Sequence, residues 1–255
     1  MKIEVFFSPA GVDELSMRGR NVVIIDVLRA STTICTALRN GAREIVPTPD
    51  IENATKISSN LSSGARLLGG ERQGKKIDGF DLGNSPAEYT SDKVVSKTII
   101  FTTTNGAGAI YKCRYASMAV VGAFVNMSAV VQTIVEVGGT WTILCSGRQG
   151  NFSAEDATCA GMIISKVEDV TEVETDDAGM TAVILYKHSK RSIINMLRKS
   201  EHGKYLLSIG FADDLVLCSD IDSVPVIPVV EGTGIKLKSA GSRPESDPNK
   251  MAVNV

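Results

Sequence analysis

The sequence predicts an α/β fold with a largely parallel sheet and helices on both faces. Three observations predict it. At 255 residues and 43% apolar, the chain is long enough to bury a sizeable core, as one large domain or two small ones. One local pattern recurs: a short β-branched run, a polar or glycine-rich turn, then a stretch of helical periodicity. Strands and helices alternating in this way build sheets whose crossovers carry helices over both faces. These observations set a single α/β domain at residues 1–238, with room for two closely packed subdomains, and a polar C-terminal extension at 239–255.

Taken in order, "NVVIIDVL" reads as a strand running into "RASTTICTALRNG", where Ser31 or Thr32 can cap a helix that ends at Gly41. "REIVPTPDIENATKIS" is a shorter unit of the same kind. The stretch "GGERQGKKIDGFDLGNSPAEY" at 69–89 places much charge on glycine-rich backbone and has little that suits a core. It reads as a loop whose backbone and charges close over an anion. "KTIIFTT" leads into "TNGAGAIYKC", and "MAVVGAFVNMSAVVQTIVEVG" repeats the pattern. "TWTILCSG" leads into "RQGNFSAEDATCAGMIISKV", where Ser153 and Asp156 give a capping-box-like start. Residues 181–208 read as one covering helix with a solvated basic face. "DSVPVIPVVEGTGIKL" reads as a late strand, and 239–255 is polar and proline-bearing.

Composition removes several classes of function. With 27 basic against 29 acidic residues and a net charge of −2, there is no surplus for a nucleic-acid backbone or an anionic membrane. No leader-like segment or apolar span stands in the sequence, so a cytoplasmic protein is expected, with a homodimer as the expected assembly. Cys35, Cys113, Cys145, Cys159 and Cys218 form no CxxC pair and read as buried, reduced thiols. A phosphate-binding P-loop is nearly spelled by Gly69, Gly74 and Lys75, but Lys76 replaces the required hydroxyl. A cysteine phosphatase would need arginine six residues after Cys145, where Asn151 stands. A haloacid-dehalogenase-type aspartate pair would need Asp two residues after Asp26, where Leu28 stands. His188 and His202 are the only histidines. Chemistry is therefore expected from carboxylates, hydroxyls, arginines and a hard cation such as magnesium.

Four turns at strand ends supply those groups. The first gives Asp26, Arg29, Ser31, Thr32 and Thr33, and the second gives Glu71, Arg72, Asp81, Asn84 and Ser85. The third gives Thr103, Thr104, Asn105 and Gly106; the fourth gives Ser146, Gly147, Arg148, Ser153, Glu155 and Asp156. In open α/β sheets ligands bind beyond the carboxyl ends of the strands, so these turns are expected to share one site. Guanidinium groups pair bidentately with oxyanions, and three arginines predict a small, multiply anionic ligand. Each residue also has a plainer role: Asp26 as a turn cap, Arg29 and Arg148 in structural ion pairs, Ser153 as a helix cap.

The segments "VVIIDVLRASTTI", "GGERQGKKIDGFDLGNSPAEY", "TTTNGAGAI" and "CSGRQGNFSAEDATCAG", in this order and spacing, resemble the 2-phosphosulfolactate phosphatase family of coenzyme M biosynthesis over residues 1–235. The resemblance implies a three-layer α/β fold and a magnesium-dependent acid phosphatase. Its substrate would be (2R)-2-phospho-3-sulfolactate and its products sulfolactate and phosphate. One departure from the family pattern stands at Ala107 and Gly108, where a threonine and a basic residue are usual. On this reading Asp26 and Glu71, with Asp81 or Asp156 as a further ligand, hold magnesium, while Arg29, Arg72 and Arg148 neutralise the anion. Ser31, Asn84, Ser85, Thr104, Asn105, Gly106 and Ser146 complete the substrate site. Glu155 or Asp156 serves the leaving alkoxide as a proton donor. The nucleophile is expected to be water at the metal, with a hydroxyl or an aspartate as alternatives. Two alternative functions stand beside it: a phosphatase for another small phosphorylated hydroxy acid, and a non-catalytic anion-binding protein.

Overall fold

A computed structural model of the chain describes residues 1–238. The extension at 239–255 lies outside the described residues. In chain order the elements are β1 (Lys2–Phe6), β2 (Asn21–Ile25), α1 (Ala30–Arg39), β3 (Glu44–Pro47), α2 (Ile51–Ser59), β4 (Arg66–Arg72), β5 (Lys75–Lys76), α3 (Ser91–Val94), β6 (Thr98–Thr102) and α4 (Gly106–Lys112). There follow β7 (Met118–Gly122), α5 (Met127–Val137), β8 (Thr140–Cys145), α6 (Ala154–Glu168), β9 (Glu174–Thr175), α7 (Asp177–Ser189), α8 (Ile193–Lys199), α9 (Glu201–Ser208), α10 (Ala212–Ser219), β10 (Pro228–Glu231) and β11 (Gly234–Leu237).

The strands form one sheet in the order β5-β4-β6-β3-β11-β10-β7-β2-β8-β1-β9. It is mixed and has two parallel blocks. One block holds β4, β6 and β3, and the other holds β7, β2, β8, β1 and β9. The antiparallel hairpin β10–β11 joins them, paired to β7 only through Val229 with Val120 and to β3 only through Ile235 with Ile45. The stretch read as one late strand is therefore a hairpin that bridges the blocks.

β2 shows how the sequence builds three layers. It is an apolar run buried on both faces, as parallel strands under helices are. Val22 and Ile24 pack with Ile34 and Leu38 of α1 and Ile110 of α4, whereas Val23 and Ile25 pack with Val130 and Ile134 of α5 and Ile163 of α6. The 181–208 segment differs from expectation: Ser192 and Ser200 accept backbone bonds from Asn195 and Gly203 and start new helices, so the single covering helix is three. The 69–89 stretch also differs. It begins as the end of β4, and its buried side chains join the core on the two sides of β6: Ile77 and Phe80 pack with Ala54 and Ile100, Leu82 and Tyr89 with Ile99 and Phe101. All five cysteines are free and buried, and burial pushes their thiols up, Cys113 and Cys218 to about 12. No helix among the described residues is long and apolar enough to cross a membrane.

Candidate active site

The carboxyl ends of β2, β4, β6 and β8 converge on a cleft of about 480 Å³. β2 delivers Asp26, and the backbone turns there directly into α1. The Asp26 carbonyl accepts from the Ser31 amide at 2.9 Å, its Oδ1 accepts from the Ala30 amide at 3.4 Å, and its own amide donates to Ser31 Oγ at 2.9 Å. Asp26 captures the first free helix donor, so α1 starts before Ser31 and Thr32, and neither caps it. Opposite, the turn after β6 presses against this corner. A Cβ at Gly106 would lie 2.8 Å from Asp26 Oδ2 and 2.8 Å from Ala30 Cβ, so only glycine lets the two blocks close here.

Glu71, at the end of β4, is the tie between two turns. Its Oε2 accepts from the Gly74 amide and its Oε1 from the Thr104 amide, both at 2.8 Å. Arg72 donates to the Glu71 carbonyl at 2.8 Å and to Thr102 Oγ1 at 3.1 Å and still lines the cleft. Asp156, in the first turn of α6, accepts from the Gly147 amide at 3.1 Å and from the Val27 amide at 2.9 Å, fastening the β8 turn to the β2 turn. The Gln149 amide donates to Asn105 Oδ1 at 2.9 Å, which docks the Arg148 turn onto the β6 turn.

The arginines differ in freedom. Arg29 is buried, donating to Asp214 Oδ2 of α10 and to the Gly74 carbonyl, both at 2.6 Å, with the Phe211 ring 4.3 Å from its guanidinium carbon. Ser85 Oγ donates to the other Asp214 oxygen at 2.5 Å. Removing a partner from such a buried pair costs about 3–5 kcal/mol. Arg148 pairs with Glu201, whose side chain is 89% exposed, and such pairs contribute only about 0–1 kcal/mol. Arg148 can exchange its partner for a ligand; Arg29 is held.

The cleft is lined by Asp26, Arg29, Glu71, Arg72, Asn84, Thr104, Asn105 and Arg148 among the residues expected from sequence. Gly106 closes its floor. Ser31, Ser85, Ser146, Glu155 and Asp156 stand behind the lining. Asp81 is not brought in: it is exposed, and its Oδ2 accepts from the Leu68 amide at 2.8 Å beside β4. Thr103 of the third turn lines it too, and Leu28, Gln73, Gly74, Gln149, His202 and Tyr205 line the cleft without having been singled out for it. His202 and Tyr205 come from α9, about fifty residues beyond the strand-end turns, where no local pattern links them to a site.

Burial and charge shape the carboxylates. Burial raises Asp26 to about 7, and the Glu71 and Glu155 charges add to the shift against the Ala30 amide and Arg29. Asp156 is pushed well up by burial and by Asp26 and Glu155; Glu155 is raised chiefly by burial. Burial, with Arg148 and Arg29, lowers His202 to about 4. Its Nδ1 lies 3.7 Å from Glu155 Oε1, a contact between groups rather than an ion pair because the ring is neutral. Asn84 Oδ1 and Ser146 Oγ are buried without a partner among the described residues.

This fold and cleft define an α/β protein in which arginines and buried carboxylates meet at the carboxyl ends of the strands. The chain belongs to the 2-phosphosulpholactate phosphatase family, whose model matches residues 6–233. It is 37% identical over 228 residues to a protein of Caldanaerobacter subterraneus subsp. tengcongensis named probable 2-phosphosulfolactate phosphatase, covering 89% of this chain and 95% of that one. Proteins with the same name from Clostridium acetobutylicum and Symbiobacterium thermophilum are each 38% identical, covering 89% and 87% of this chain and 97% and 96% of theirs.

Proposed function

We propose that this chain hydrolyses the phosphate monoester of (2R)-2-phospho-3-sulfolactate in a magnesium-dependent reaction, releasing sulfolactate and phosphate. The observation that carries the reading is the meeting of Arg29, Arg72 and Arg148 with Asp26 and Glu71 in one cleft. The proposed substrate bears phosphate, carboxylate and sulfonate on three carbons, and it needs several cationic partners and little apolar surface. The family and the names of its relatives support the same substrate.

The donor set fits magnesium. Among the described residues no three carboxylate, histidine or cysteine side chains gather into a self-sufficient metal cage. Magnesium does not ask for one, being held by one or two carboxylates together with substrate phosphate and water. Asp26 and Glu71 are the two carboxylates on the cleft surface, and a cation offsets the burial and the Glu71 charge that raise Asp26. When bound, the ion supplies charge to the phosphoryl oxygens and lowers the pKa of water. Asp81 takes no part.

Arg72 and Arg148 bind the anionic ends, and Arg29 contributes a fixed positive charge that persists through phosphoryl transfer. Thr104 and the Asn84 amide orient the ligand at the rim. Ser31, Ser85 and Asn105 have their side-chain oxygens engaged within the protein, so their role is to hold the turns. Ala107 and Gly108 are not part of the cleft lining. Phosphate release from phosphosulfolactate, phosphoglycolate, phospholactate and a generic aryl phosphate tests the proposal. A strong preference for phosphosulfolactate is expected; equal rates across the panel would overturn the assignment of substrate.

A further inference from the structure

We propose that His202 is the proton donor to the leaving oxygen, with Glu155 packed beside its imidazole. The inference rests on the phosphatase reading above and assigns the one role that reading leaves without a group in the cleft. Neither carboxylate expected in that role is placed for it. Asp156 and Glu155 are both buried and absent from the cleft lining, Asp156 holding the Val27 and Gly147 amides behind it. His202 is the titratable acid that does line the cleft from α9. Its Nδ1 lies 3.7 Å from Glu155 Oε1, a contact and not a hydrogen bond, so Nε2 on the other side of the ring is the nitrogen free for the ligand.

The surroundings give the histidine a substrate-dependent charge. It faces Arg148 from the β8 turn, Arg29 from the head of α1 and Glu155 from α6, with Glu201 and Tyr205 on its own helix and Asp26, Glu71 and Arg72 across the cleft. In the free protein burial and the two arginines keep the ring neutral near neutral pH. An anion bound between those arginines cancels the repulsion that holds the proton off, so the ring gains a proton as the substrate arrives. In the chemical step the attacking water forms the new P–O bond and gives one proton to solvent. The ester P–O bond breaks, its electron pair stays on the substrate oxygen, and that oxygen takes the Nε2 proton. His202 then recovers a proton from solvent.

The experiment compares the wild type with His202→Gln on phosphosulfolactate, whose alkoxide needs a proton, and on nitrophenyl phosphate, whose phenolate leaves without one. The variant is expected to lose about 100-fold in kcat on phosphosulfolactate, the scale of general acid catalysis, with KM little changed. Its loss on nitrophenyl phosphate should be much smaller than on phosphosulfolactate, and a wild-type circular dichroism spectrum and Tm show that it folds. The alkaline fall of wild-type kcat should be absent in the variant. Equal losses on both substrates, or no loss on either, would overturn the role of His202. Failure of the wild type to turn over phosphosulfolactate would instead overturn the functional reading and this inference with it. A second measurement does not use turnover: the His202 imidazole signal, separable because only His188 accompanies it, should titrate at higher pH on addition of inorganic phosphate. An unchanged midpoint would overturn the inference.

Discussion

Asp26 is a carboxylate that the folded protein charges reluctantly. Its pKa rises to about 7 on burial and through Glu71 and Glu155, against about 4 in the unfolded chain. Folding therefore favours its protonated form: the associated stability is present at low pH and is lost as pH rises from about 4 through 7. Asp26→Asn keeps the shape without the charge. In the absence of divalent metal, its Tm should exceed that of wild type by several degrees at about pH 8 and converge with it at about pH 4. The same variant should lose magnesium-dependent turnover; wild-type-like turnover would remove Asp26 from the metal site. For Asp214 the sign reverses. Asp214→Asn leaves the buried Arg29 guanidinium without its counter-charge and should lower stability by about 3 kcal/mol or more, measured by urea unfolding. At this scale the sequence was legible wherever a residue's type and its place after a strand coincide, as for Asp26, Arg72 and Arg148. Asp81 shares type and neighbourhood with Glu71, but β4 ends beside one and the chain has turned away by the other. His202 reaches the cleft, and Asp214 reaches Arg29, only through tertiary packing of helices far along the chain.

At the scale of elements, the strand–turn–helix units were readable because apolar runs of period-independent burial are bounded by polar turns, as in β2, β6 and β8. What was hidden depends on single residues. Ser192 and Ser200 divide the expected covering helix by capping new ones, a signal that a basic amphipathic pattern running across them masks. Replacing Ser200 with Ala should cost about 1 kcal/mol through the lost cap, and it should weaken the placement of His202 two residues on. α6 and α7 meet at Gly161, where a Cβ would fall 1.9 Å from the Ala182 carbonyl oxygen. That atom is backbone and cannot rotate away, so Gly161→Ala should destabilise by about 1–3 kcal/mol. A chemical denaturation midpoint at or above wild type would show that the two helices can slide apart freely.

For the whole molecule, the sequence predicted alternating layers and left the order of strands unspecified. Parallel blocks follow from local repetition, but the β10–β11 hairpin that joins them pairs with β7 and β3 through contacts between residues roughly a hundred or more positions apart, for which no local pattern exists. The joining matters for function because the cleft draws Asp26 and Arg148 from one block and Glu71 and Asn105 from the other. Ligand binding should therefore stabilise the chain as a unit. Magnesium with inorganic phosphate at about a hundred times its Kd should add roughly 2.7 kcal/mol to stability, read as a rise in Tm of several degrees.

The most direct test of the account is hydrolysis of phosphosulfolactate by the purified chain, followed as phosphate release after treatment with chelator and again after magnesium is restored. The account predicts negligible release without the ion and recovery with it. Undiminished release in excess chelator would contradict a site in which Asp26 and Glu71 work through a metal.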